Sequence, residues 1–126
     1  MLTHIPEPGT FTKQDVINNA HRGLTKQGVP GMTRSGCSYW TDEGLACGIG
    51  HCMTISQAQA LSEASYIDEV PTHLLPDHLR GIDIDFLSRV QQAHDDAANK
   101  HRDDFLAMFD RNLAGVCSDY GLEMPA

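Results

Sequence analysis

The stripe Phe105, Phe109, Leu113, Val116 and Tyr120 constrains this 126-residue chain more than any other feature: large apolar and aromatic side chains recur every three to four residues. That spacing follows the 3.6-residue period of an α-helix and gathers all of them on one face, which needs a partner surface to leave water. Gly121 followed by Leu122 reads as a glycine cap with its accompanying apolar contact. Phe86, Leu87, Val90, Ala93 and Ala97 form a second stripe close to the same period, and Asp83 or Asp85 can cap that helix. A further helix is predicted over FTKQDVINNAHRGLTKQG. Thr12 caps it with Asp15 at the third position, Phe11 and Val16 have hydrophobic-staple spacing, and Val16, Ile17, Ala20 and Leu24 face inward. Gly28-Val29-Pro30-Gly31 stops this helix, and the turn-forming stretch to Gly36 reads as an exposed loop.

Between these helical patterns the texture changes. CSYWT and LACGI are short aromatic and apolar runs separated by Asp42, Glu43 and Gly44, which predicts a small β-hairpin between Cys37 and Ile49. Ser56, with Gln59 three residues on, opens a helix over SQAQALSEASY, and Pro71 and Pro76 break the next stretch into a turn or a short helical piece. The reading is a single α+β domain over residues 1–126, with three to four helices packed on a small β-hairpin and an extended N-terminal segment at 1–10. The length suits one domain that buries its core without staples.

The net charge of −8 is unevenly placed: residues 1–67 hold five acids and four bases, residues 68–126 twelve acids and five bases. A negative surface repels phosphate backbones, so direct nucleic-acid binding is disfavoured and a basic protein partner is favoured. The bland alternative is that most of these Asp residues are helix caps and solvated surface. No apolar run approaches the roughly 20 residues that span a bilayer, and MLTHIPEPGTFTKQD lacks the basic start and apolar core of a secretion signal, so a cytoplasmic protein without membrane partners is expected.

Two groups could carry chemistry. Cys37, Cys47, His51 and Cys52 are four soft ligands within sixteen residues, enough for a tetrahedral zinc ion, although the spacing departs from the paired arms of structural zinc sites. The competing reading makes Cys37 and Cys47 small buried hydrophobes, without cofactor or disulfide. Cys52 also stands beside His51 and before a helix start, the surroundings of a thiolate nucleophile, but neighbours on an extended segment point to opposite faces. His94, Asp95, Asp96, His101, Asp103 and Asp104 form a His-Asp cluster to which a metal-dependent hydrolase would add ligands such as His73 or His78; a polar helix face or corner is the simpler account. No phosphate-binding glycine loop or nucleophile elbow is present.

CSYWTDEGLACGIGH, FLSRVQQAHDD and the terminal YGLEMP together resemble a group of small uncharacterised phage and prophage proteins, over most of the chain. That group has a Cys-x-Tyr, a Gly, a Cys-Ala-Ile-Gly-like turn, a Leu-x-x-x-Gln-x-x-His-Asp helix and a closing Gly-Leu. Cys37, Tyr39, Gly44, Cys47, Gly48, Ile49 and Gly50 match the first part; Leu87, Gln91 or its neighbour Gln92, His94, Asp95, Gly121 and Leu122 match the second. Gly48 stands where the turn usually has Ala, and the polar stretch before the final helix is longer. The resemblance implies a mobile-element origin and transfers no catalytic residue. It favours a non-enzymatic accessory protein that binds a basic host protein, for instance an inhibitor of a nucleic-acid-binding defence system, and the uneven charge places the docking on the acidic second half, centred on Asp95, Asp96, Asp103 and Asp104. A zinc-stabilised module and a small Cys- or His-Asp-dependent enzyme are the alternatives.

Overall fold

A computed structural model of the chain describes residues 1–33, 36–61, 66–100 and 102–125, with the backbone alone for Arg102. The first helix, α1 (Lys13–Gln27), begins as its sequence dictates. Thr12 Oγ1 accepts the Asp15 N–H, the Asp15 carboxylate accepts the Thr12 N–H, and Val16, Ile17, Ala20 and Leu24 are buried. Gly28 ends it in the left-handed region (φ 81°), its N–H on the Leu24 carbonyl.

The hairpin lies earlier than the sequence pattern suggested. Strands β1 (Met32–Thr33) and β2 (Gly36–Cys37) pair antiparallel with Met32 opposite Cys37, inside the stretch read as an exposed loop, and Gly31 before them is buried. The expected strands between Cys37 and Ile49 do not form. Two cross-links do, from Cys47 N–H to Ser38 O (3.0 Å) and from Thr41 N–H to Leu45 O (2.8 Å), about a turn with Gly44 at φ 84°. Side chains take further backbone partners: Ser38 Oγ bonds both the N–H and the carbonyl of Trp40, Thr41 Oγ1 accepts the Leu45 N–H, and the Gln27 amide bonds the N–H and carbonyl of Ala46. The local hydroxyl bonds offer the backbone an alternative to a ladder. The chain then dives inward at Gly48 and Gly50 and closes in a 3-10 turn, Gly50–Cys52.

Helix α2 (Ile55–Ala60) is capped by Thr54 with Gln57 reciprocating, two residues ahead of the expected Ser56–Gln59 pair. It ends where Leu61 turns extended, and residues 62–65 of the expected helix lie outside the described residues. After short 3-10 turns at Ile67–Glu69 and Thr72–Leu74 comes α3 (Asp77–Arg80), directly after Pro76. Of the two candidate caps for α4 (Ile84–Lys100), Asp83 serves: its carboxylate accepts the Asp85 N–H and its carbonyl the Leu87 N–H. Helix α5 (Phe105–Tyr120) ends with Gly121 at φ 66° and with both the Gly121 and Leu122 N–H groups on Cys117 O.

The expected stripes of α4 and α5 meet as antiparallel partners. Phe86 sits edge-on against Tyr120 and His94 against Phe105, and α1 packs across α5. The first residues dock through Leu2, which pairs with Thr54 in a single parallel bridge, while residues 8–10 form a turn. The described chain is thus α+β: five helices and one two-stranded hairpin, with a continuous core that buries the inner faces of α1, α4 and α5. Among the described residues no helix is long and apolar enough to cross a membrane.

Candidate site at the junction of the Cys-x-Tyr loop and the Gln-x-x-His-Asp helix

The buried face of α4 contains two polar residues in its apolar stripe, Gln91 (7% exposed) and His94 (0%). Buried polar groups need partners, and these find all but one of theirs in segments outside the α-helices. Gln91 Oε1 accepts the Ile67 N–H (2.8 Å), and its Nε2 donates to the Tyr39 hydroxyl (3.2 Å). His94 Nε2 accepts the Gly31 N–H (3.1 Å), which places the imidazole proton on Nδ1, where it is donated to Asp95 Oδ1 (2.8 Å). The Cys37 thiol completes the junction with a hydrogen bond to Asp95. Positions 91, 94 and 95 thus gather the loop before β1, the end of β2, the Tyr39 segment and the 3-10 turn at Ile67–Glu69 onto one helix. Gln91 faces this junction, whereas its neighbour Gln92 is exposed.

The four ligands grouped in the sequence are divided among separate environments. Cys37 joins His94 and Asp95, and the ligand atoms of these three lie within 4.8 Å of one another, the one such group of three among the described residues. Cys47 is buried with its sulfur on the Gly50 N–H, and burial raises its thiol to about 12. His51 Nε2 donates to Gln27 Oε1 (2.9 Å), its Nδ1 faces the Met1 amino group (3.3 Å), and burial lowers its basicity to about 4. Cys52 points its thiol at the Val16 and Gly48 carbonyls, and burial pushes its pKa up. Cys52 therefore lacks both the thiolate character and the imidazole partner that nucleophilic catalysis requires. Cys37 is no better placed, because burial and the Asp95 carboxylate hold it as a thiol and His94 Nε2 is already taken by Gly31. All four cysteines are free thiols.

The His-Asp cluster separates in a similar way. Asp95 turns inward, its side chain 17% exposed. Asp96 lines a cleft of about 320 Å³ between α4 and α5 together with Arg89, Gln92, Arg111, Asn112 and Gly115. Asp103 and Asp104 are exposed on the connection between the two helices, and His101 lies outside the described residues. His78 is buried against Phe11 and donates from Nε2 to Cys52 O (2.6 Å), whereas His73 is exposed, so neither joins the cluster. The sequence pattern gives no direct sign of Gly31 and Ile67, which contribute only backbone N–H groups; the one signal for them is indirect, a Gln and a His at core positions of an apolar helix face. Comparison of the chain with protein-family models, with curated proteins and with solved structures finds no match in any of the three.

Proposed function

We propose that this chain is a non-enzymatic accessory protein of phage or prophage type that acts by occupying a basic surface of a host protein, such as a nucleic-acid-binding defence component. The observation that carries the reading is the unneutralised acid of the second half. Asp68, Glu69, Asp83, Asp85, Asp103, Asp104 and Glu123 are exposed without an ion pair among the described residues, while Arg80 and Arg89 are engaged by Asp77 and Asp119. Asp95 leaves the docking set because it is committed to His94 and Cys37, so Asp96, Asp103 and Asp104 remain its centre. Carboxylates held on the ends of two packed helices meet a cationic surface at little further entropic cost, and complementary charge speeds encounter and selects partners.

The test is capture of host proteins on the immobilised chain at about 50 mM and about 500 mM salt, a range over which exposed charge pairs become strongly screened. The expected result is a basic protein retained at low salt, released at high salt and lost from an Asp96→Asn, Asp103→Asn, Asp104→Asn variant. A partner held equally by that variant and in high salt would remove the acidic surface from the account.

A further inference from the structure

The arrangement of Cys37, His94 and Asp95 has a chemistry that the docking reading does not use. Two protons, on Cys37 Sγ and His94 Nδ1, both point at one carboxylate, and one ligand atom from each of the three residues lies within 4.8 Å of the other two. Ligand atoms bound at about 2.0–2.3 Å in a tetrahedral shell stand closer together than that limit, so small side-chain movements suffice to close it. We propose that Cys37, His94 and Asp95 form a binding site for one divalent cation of the zinc type, with its fourth position filled by water or by a group from a partner.

The class of metal is set by the donors. A thiolate with an imidazole nitrogen favours borderline and soft cations over magnesium or calcium, which take oxygen shells. Charge also balances, since a thiolate, a carboxylate and a neutral imidazole cancel a dication and leave a neutral complex in a largely buried place. On binding, the cation takes Sγ, Nδ1 and a carboxylate oxygen, the Cys37 proton is released to solvent, and the His94 proton moves from Nδ1 to Nε2. The Gly31 N–H then loses its acceptor and the β1 approach has to shift. The cost is this hydrogen bond together with two buried donors, the Gly31 N–H and the new His94 Nε2–H, left without an acceptor, a term smaller than the free energy that metal–thiolate and metal–imidazole bonds supply. The ligand set differs from the sequence grouping, because only Cys37 is common to both; Cys47, His51 and Cys52 are held by Gly50, Gln27 and backbone carbonyls.

Titration of the metal-free full chain with Co²⁺ tests the site. The expected result is one ion per chain, thiolate-to-cobalt charge-transfer absorption in the near ultraviolet and visible bands of a four-coordinate ion, all abolished by one equivalent of Zn²⁺. Cys37→Ser retains a hydroxyl donor for Asp95, and with it the fold as checked by circular dichroism. It should lose the charge-transfer band and bind more than about 100-fold more weakly, beyond the loss caused by removing an outer-shell partner. Asp95→Asn still accepts from His94 Nδ1 and, should the serine variant not fold, should keep the thiolate band but bind the ion more weakly for want of the carboxylate; Cys52→Ser should leave the spectrum unchanged. Absence of cobalt binding at micromolar concentrations, or a band that survives Cys37→Ser and disappears in Cys52→Ser, overturns the proposal.

Discussion

Gln91 and Gln92 are the same side chain on different sides of α4, and their fates differ by one helical step. Replacing Gln91 by Ala leaves the buried Ile67 N–H without the Gln91 acceptor and removes the amide that donates to the Tyr39 hydroxyl. An unsatisfied buried group costs about 1–3 kcal/mol, so urea unfolding should show Gln91→Ala destabilised by about 1–3 kcal/mol and Gln92→Ala by less than about 0.5 kcal/mol. Equal effects at the two positions would contradict the register. His51 makes a separate prediction in pH. Burial, and after it the neighbouring amino-terminal ammonium, lower its pKa from the usual 6.5 to about 4. The unfolded chain therefore takes up the proton first as pH falls. Stability from this group is complete above about pH 6.5, declines between about 6.5 and about 4, and amounts to roughly 3 kcal/mol. Denaturant unfolding across that window should show the decline in the native chain and a flatter profile in His51→Gln.

Elements whose signals are local are legible in the sequence. The Thr12–Asp15 box, the Gly28 and Gly121 caps and the stripes of α1, α4 and α5 all lie where their residues indicate, because each depends on partners within a few positions. The hairpin does not, since its alternating texture competes with hydroxyls that satisfy the backbone locally and with Gly48 and Gly50, which let the chain turn into the core instead of along a ladder. A side chain at Gly50 would collide with the Tyr39 carbonyl, so that inward turn belongs to glycine. The displaced α2 cap is testable at the same scale. Thr54→Ala should cost about 1 kcal/mol and Ser56→Ala less than about 0.5 kcal/mol; chemical denaturation of the two variants distinguishes the start observed from the start expected.

For the molecule as a whole, the candidate site illustrates what a linear reading misses. Cys37, His94 and Asp95 each stand out in the sequence, but in two separate groups, and only the packing of the β2 end on α4 joins them. No spacing rule connects positions 37 and 94, and nothing in the composition indicates that Asp95 faces inward while Asp103 and Asp104 face solvent.

Because the amides of Gly31 and Ile67 end on side chains of one helix, segments more than thirty residues apart share a single anchor. Their deuterium uptake should therefore match that of the innermost α4 amides and be as slow as global unfolding, although neither lies in an α-helix. Uptake at Gly31 or Ile67 within the time of a fraying end would show that these segments open independently. On the arrangement seen here, a peptide covering residues 28–53 has no reason to hold its shape once separated from the middle of α4, which serves as its template.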